Sequence, residues 1–213
     1  LFSQNYTVYA AVETSVFAFD LRKAGAPIID ASNWTVEDES CILHALDEIN
    51  QIAFASNLPT QDAPPSIHLA AGDDTGSVRV TTNFSAECVY QHGADSMVTS
   101  LTFRPIGKKQ RQLLLASGGT DCRVNIWGFN SSGMIPVTSV SIPNSDAGAN
   151  QVCNPPMVHT LTYSPSGRLL AAGLGDGSIG LFEQTNTNLR WTARLEDAHS
   201  GSIASVLFPK WGK

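Results

Sequence analysis

Apolar and polar positions alternate along this chain in short bursts, and the bursts recur in a fixed order. Four segments alternate and run into an aromatic residue: INQIAF (49–54), VTSLTFRP (98–105), VHTLTYSP (158–165) and IASVLFP (203–209). A period of two predicts strands, and Pro105, Pro165 and Pro209 stop three of them. After the first three come an apolar run, a polar turn and a second apolar run. These read LAAGDDTGSVRVT (69–81), LASGGTDCRVNIW (115–127) and LAAGLGDGSIGLF (170–182), and they align without a gap. A small residue (Ala71, Ser117, Ala172) is followed by Gly (Gly72, Gly118, Gly173). Thr75, Asp121 and Asp176 come four positions after it, and Thr81, Trp127 and Phe182 ten after it. A shorter copy, VYAAVETSVFAFD (8–20), turns at Glu13-Thr14 and carries Phe19 at the aromatic position. Val, Ile and Leu suit strands, and Gly and Asp supply the positive φ of a tight hairpin. Gly173, Gly175 and Gly177 are therefore read as hairpin residues and not as a phosphate-binding loop, because no strand-to-helix unit follows them.

Weaker outer strands are expected near 27–34, 86–91, 135–142 and 189–195. The landmarks Phe54, Phe103, Tyr163 and Phe208 stand 49, 60 and 45 residues apart. That is a period of about 40–45 stretched by insertions, the spacing of a four-stranded unit. The insertions, Pro59 to Ser66 and Pro143 to Pro156, are rich in Pro, Ser, Asn or Asp, the composition of surface loops. No amphipathic helix of useful length is expected.

At these residues the chain resembles the WD-repeat family. The resemblance implies an all-β fold, a WD-repeat β-propeller, present as an incomplete arc of about four to five four-stranded blades. A seven-bladed ring needs roughly 290 residues at the family period. The expected blades are 1–40 (partial), 41–92, 93–150, 151–199 and 200–213 (partial). The chain would begin at a second strand near Tyr6 and stop after a first strand near Phe208. One repeat is close to the family pattern. Its Asp121, Ser117, Trp127 and His92 match the four residue types that, in the family, form a structural hydrogen-bond network. A buried indole N–H needs an acceptor, a hydroxyl both accepts and donates, and an imidazole passes the chain on. The same types could form a Ser-His-Asp triad. The repeat register favours the structural role, because the turn Asp recurs at Asp176 beside Ala172 and Phe182, without those partners.

Phe19-Asp20-Leu21-Arg22 is similar to the W-D-x-R ending of blades in substrate receptors of cullin-4 ubiquitin ligases. There it docks onto the adaptor, damaged-DNA-binding protein 1. Asp20 and Arg22 match by type, whereas Phe19 departs from the usual tryptophan. An exposed Arg makes bidentate, charge-assisted bonds to a partner; the alternative is a polar pair holding the next turn. The resemblance thus implies a non-catalytic protein-interaction scaffold, with a cullin-4 receptor as its specific form. A chromatin or histone-peptide binding propeller is the alternative. A propeller enzyme would need convergent acids, bases or metal ligands at one face. Here His44, His68, His92, His159 and His199 are distributed repeat by repeat.

Composition changes this picture little. The 213 residues are 42% hydrophobic and 15% charged, with a formal net charge of -6. That supports a packed core and argues against nucleic acid or anionic membrane as main partner. Arg104, Lys108, Lys109 and Arg111 form a basic cluster, read as a solvated loop in preference to a phosphate site. Cys41, Cys88, Cys122 and Cys153 show no C-x-x-C spacing, so buried free thiols are expected, with no metal and no cofactor. No apolar run reaches the roughly 20 residues of a membrane span. Cytoplasm or nucleus is the expected location. The N-x-[ST] triplets at Asn5, Asn33, Asn83 and Asn130 are ascribed to chance.

Overall fold

The computed structural model describes residues 7–20, 41–57, 66–93, 95–106, 112–130, 133–144 and 155–209. They form four antiparallel sheets in chain order. The first contains β1 (Thr7–Val12), β2 (Ser15–Asp20) and β3 (Cys41–His44). The second contains β4 (Ile49–Asn57), β5 (Ser66–Asp73), β6 (Ser77–Thr82) and β7 (Ala86–Gln91). The third contains β8 (Val98–Phe103), β9 (Leu114–Gly119), β10 (Arg123–Asn130) and β11 (Gly133–Ser141). The fourth contains β12 (Val158–Tyr163), β13 (Leu169–Leu174), β14 (Ile179–Gln184) and β15 (Leu189–Leu195). Each sheet is a meander whose strands pair in sequence order, an arrangement that matches a partial arc of propeller blades.

Two expected strand positions fare differently. The outer strand expected at 27–34 lies outside the described residues, and β3 supplies the outer strand of the first sheet. The strand expected at 203–209 is not formed. A first strand has its ladder partner in the second strand of its own sheet, and no such partner for 203–209 is among the described residues. Ile203 nonetheless takes up the packing position of a first strand, its N–H donating to Leu174 O at 3.0 Å.

Neighbouring sheets meet through their first strands, with β8 packed between β4 and β12. The repeated Gly sets how closely. A Cβ on Gly72 would lie 2.8 Å from Val98 Cβ, one on Gly118 2.8 Å from Val158 Cβ, and one on Gly173 2.8 Å from Ile203 Cβ. Each glycine is thus a socket for the β-branched residue that heads the next first strand. Side chains add to this seam. Ser100 Oγ accepts from Leu161 N–H at 2.8 Å, and Thr99 Oγ1 donates to Val158 O.

The core is divided between the seams. One cluster joins Val98, Phe103, Leu115 and Trp127 to Ala70, Val78 and Val80. A second joins Leu114, Ala116, Val124 and Ile126 to Val158, Leu170, Leu174 and Phe182. A third, around Val16, Leu43 and Leu69, joins the first and second sheets. Strand β9 is buried along its whole length. Leu115 faces one neighbour and Leu114 the other, which is why its sequence is continuously apolar.

Arg104 belongs to this buried structure and not to a solvated loop. It is 2% exposed. Its Nε donates to Gly167 O at 2.6 Å, Nη1 to Thr185 O and Asn186 Oδ1, and Nη2 to Gln184 O. It therefore ties the end of β8 to two turns of the fourth sheet. Burial holds its guanidinium below the ordinary value, with Tyr163 opposing. The Tyr163 hydroxyl, buried beside it, is pushed up by the same burial. Lys108, Lys109 and Arg111 lie outside the described residues.

Irregularities repeat as faithfully as strands. The first strands carry an extra residue at Asn50, Thr99 and His159. The outer strands carry one at Ile42, Val137 and Thr192. The first-strand bulge falls at one register in all three sheets and the outer-strand bulge at one register in the third and fourth, so these are features of the unit and not local accidents, whereas β7 carries none. The left-handed turn position also recurs, at Gly76 (φ 79), Cys122 (φ 59) and Gly177 (φ 84). Asp121 and Asp176 have ordinary φ, contrary to the expectation that Asp would help supply the turn conformation. In the third sheet the left-handed residue is a cysteine.

If the glycine sockets set the spacing of the sheets, Gly72→Ala will destabilise by about 1–3 kcal/mol through overpacking. Adding Val98→Ala will return part of that loss. Urea denaturation of the two singles and the double reads it, and strict additivity would refute the socket.

Candidate functional site

The hairpin between β9 and β10 gathers the four residues singled out in the sequence. His92 comes from the connection leaving the second sheet. Ser117 lies on β9, Asp121 in the turn, and Trp127 on β10. Trp127 Nε1–H donates to Ser117 Oγ at 2.8 Å. Ser117 Oγ lies 2.7 Å from His92 Nδ1, and His92 Nε2 lies 3.1 Å from Asp121 Oδ1. One proton order satisfies all three contacts: Ser117 donates to Nδ1, and Nε2–H donates to the carboxylate. Ser117 is 0% exposed and already receives the indole proton, so it is not presented to a substrate. Trp127 is buried against the Tyr90 ring, centroids 5.8 Å apart.

Two further residues complete the network. Asn125 Nδ2 donates to His92 O at 2.8 Å and lies 3.1 Å from His92 Nδ1. Ser96 Oγ accepts the Asp121 N–H at 3.2 Å. Sequence reasoning missed both. The signal for Asn125 was present, because it alternates with Arg123 and Trp127 on one face of β10. The carboxyl of Asp121 sits below its ordinary value. Burial raises it, but the hydrogen bond and charge of His92, the Arg123 N–H and the Arg123 charge outweigh that. A cleft of ≈ 560 Å³ opens beside the network, lined by His92, Asp121, Asn125 and the bulged stretch 136–139 of β11.

The equivalent turns are held by other means. In the second sheet, buried Asp73 accepts from Thr75 Oγ1 at 2.6 Å and from the Ser77 N–H at 3.0 Å. In the fourth, Asp176 pairs with Arg194 of β15 and accepts from Ser178 Oγ at 2.6 Å. Arg194 Nη1 also donates to Pro143 O at 2.6 Å, linking the fourth sheet to the exit of the third. Phe182, in the tryptophan position, packs edge-on against Trp191 at 5.1 Å.

Of the FDLR stretch, Phe19 lies on β2, half-buried, with its ring 6.4 Å from Phe17. Asp20 is the last residue of β2, opposite Thr7. Arg22 lies outside the described residues. Cys41, Cys88 and Cys122 are free and half-buried, less enclosed than expected; Cys153 is not among the described residues. Among the described residues, no group of three or more His, Cys, Asp or Glu side chains is placed to hold a metal ion. No helix among them is long and apolar enough to cross a membrane.

The family pattern described as WD domain, G-beta repeat, matches residues 86–128 and 151–183. The first match contains all four residues of the network. Residues 86–128 and 151–183 thus carry the WD40 repeat pattern. It is 24% identical over 226 residues to the WD repeat-containing protein 53 homolog of Dictyostelium discoideum, covering 99% of this chain and 55% of that protein. It is 28% identical over 177 residues to WD repeat-containing protein VIP3 of Arabidopsis thaliana, covering 80% of this chain and 53% of that protein. The chain thus spans about half the length of the curated relatives it matches. Each WD40 match starts before the strand it closes on: 86–128 opens at the outer strand of one sheet and ends on the third strand of the next.

Two expectations follow for the network. Asp121→Ala or Trp127→Ala will lower stability by about 2–4 kcal/mol, through an orphaned buried polar group or a cavity. An unchanged melting temperature would rule out the structural role. The second concerns pH. A carboxyl whose folded value is depressed stabilises fully above its unfolded value, and that stabilisation is lost as pH falls through the folded value. The stability gap between wild type and Asp121→Asn should therefore narrow on acidification below the usual carboxylate range and stay flat above it. Denaturation series across acid pH measure the gap.

Proposed function

We propose that this WD40 arc is a non-catalytic protein-interaction scaffold and that FDLR docks it, as a substrate receptor, onto the cullin-4 adaptor damaged-DNA-binding protein 1. The observation that carries the scaffold reading is the use to which the reactive residue types are put. Ser117, His92 and Asp121 are spent on holding a hairpin to the preceding connection. The result is a rigid set of blades whose loops are free to vary, the usual basis of a recognition surface. The receptor reading rests on the type match of Asp20 and Arg22. It is supported by the position of Asp20 at the end of the third strand of its sheet. Docking of this kind depends on charge-assisted bonds from a guanidinium, which a lysine would not reproduce.

The expected outcome is that Arg22→Ala abolishes co-purification with the adaptor and leaves the circular dichroism spectrum unchanged, with Arg22→Lys restoring little. Equal recovery of wild type and mutant, or recovery of neither, would remove the receptor reading. Affinity purification of the full-length protein, with mass spectrometry of its partners, tests the broader scaffold reading separately.

A further inference from the structure

The first sheet holds a side-chain array that the network in the third sheet does not explain. Cys41 Sγ lies 3.3 Å from His44 Nε2, and His44 Nδ1 lies 2.9 Å from Ser15 Oγ. In a regular strand, residues 41 and 44 would face opposite sides, being an odd number apart. The bulge prevents this. Ser15 pairs with His44, Val16 with Leu43 and Phe17 with Cys41, leaving Ile42 as the extra residue. Cys41 and His44 are thereby turned to one side, above the hydroxyl of the neighbouring strand. In the fourth sheet, too, the outer strand reaches over the hairpin end of the third strand, where Arg194 meets Asp176 and Ser178. In the first sheet that place is taken by a thiol and an imidazole.

We propose that Cys41 is a site of S-thiolation by small disulfides, with His44 as the base and Ser15 as the residue that positions His44. The Nδ1–H tautomer donates to Ser15 Oγ and leaves Nε2 free to accept the thiol proton. A nucleophile, a base in hydrogen-bond reach and a third group orienting the base are the elements of an activated thiol. Among the described residues the thiol has one competing acceptor, Leu43 O, at the longer distance of 3.5 Å. In the reaction Cys41 Sγ attacks one sulfur of the disulfide as Nε2 takes its proton. The S–S bond breaks, a mixed disulfide forms on Cys41, and the departing thiolate recovers the proton as a free thiol. Cys41 is oxidised, and one half of the small disulfide is reduced. Cys41 is half-buried on an outer strand, and His44 beside it is exposed.

Cys88 and Cys122 serve as controls in the same molecule. Cys88 packs against the core of the second seam. Burial, with the carboxylates of Asp121 and Asp176, pushes the Cys122 thiol up. The folded protein is incubated with glutathione disulfide, quenched at intervals with an alkylating agent, and digested for mass spectrometry of each cysteine peptide. Cys41 is expected to form the mixed disulfide roughly tenfold faster than Cys88 or Cys122. His44→Gln is expected to remove most of that advantage. Ser15→Ala should remove part of the advantage. Rates at Cys88 and Cys122 should not move, and circular dichroism monitors the fold. A Cys41 rate no greater than the controls in the wild-type protein would overturn the proposal without any variant. So would a Cys41 rate unchanged by His44→Gln.

Discussion

The close approach between successive sheets governs this molecule. A glycine on three of the second strands, β5, β9 and β13, leaves room for a β-branched side chain at the head of the next unit, and the approach is the same at those three seams. Because the sheets come that near, the inner strands can be bridged by single side chains such as Ser100 and Thr99. Because they are held at a constant spacing, each seam has a dry cluster of its own in place of one central core. Burial on both faces of β9 and the apolar, small-residue runs of β9 and β13 follow from the same geometry.

Polar groups then fix the turns at the margin of each seam, and here the units diverge. The third sheet uses an imidazole delivered by the preceding connection. The fourth uses an arginine from its own outer strand, and the second uses short hydrogen bonds within the turn around Asp73. The constant element is a carboxylate in or beside the hairpin that must be satisfied; its partner is open to change. This variation separates a structural role from a catalytic one, since a reaction centre would require the partners as well as the acid.

Much of this was legible in the sequence, and the exceptions have physical causes. The gapless alignment of 69–81, 115–127 and 170–182 located the second and third strands, because Gly, the turn and the apolar alternation are each demanded by local geometry. The outer strands at 86–91 and 189–195 could be placed because they still alternate. Strand β3 escaped because four residues are too short for a period to declare itself, and its bulge breaks the alternation. The basic neighbours of Arg104 in sequence point to a solvated cluster, whereas its partners are carbonyl groups about 60 to 80 residues away. Cys122 was not suspected in a left-handed turn, since the aligned residues are Gly76 and Gly177. Asn125 was visible only by its face on β10.

The boundaries of the repeating pattern carry a consequence for how such a chain grows. The stretch 86–128 opens on the last strand of one sheet and closes on the third strand of the next, so it contains His92 together with the serine, acid and tryptophan that His92 meets. A gene segment copied in that phase brings its own fastening and joins two sheets at once. A segment copied in phase with a whole sheet would part the histidine from its acid. A copy taken in that phase lets an array lengthen without a stage in which the new seam is left unpinned.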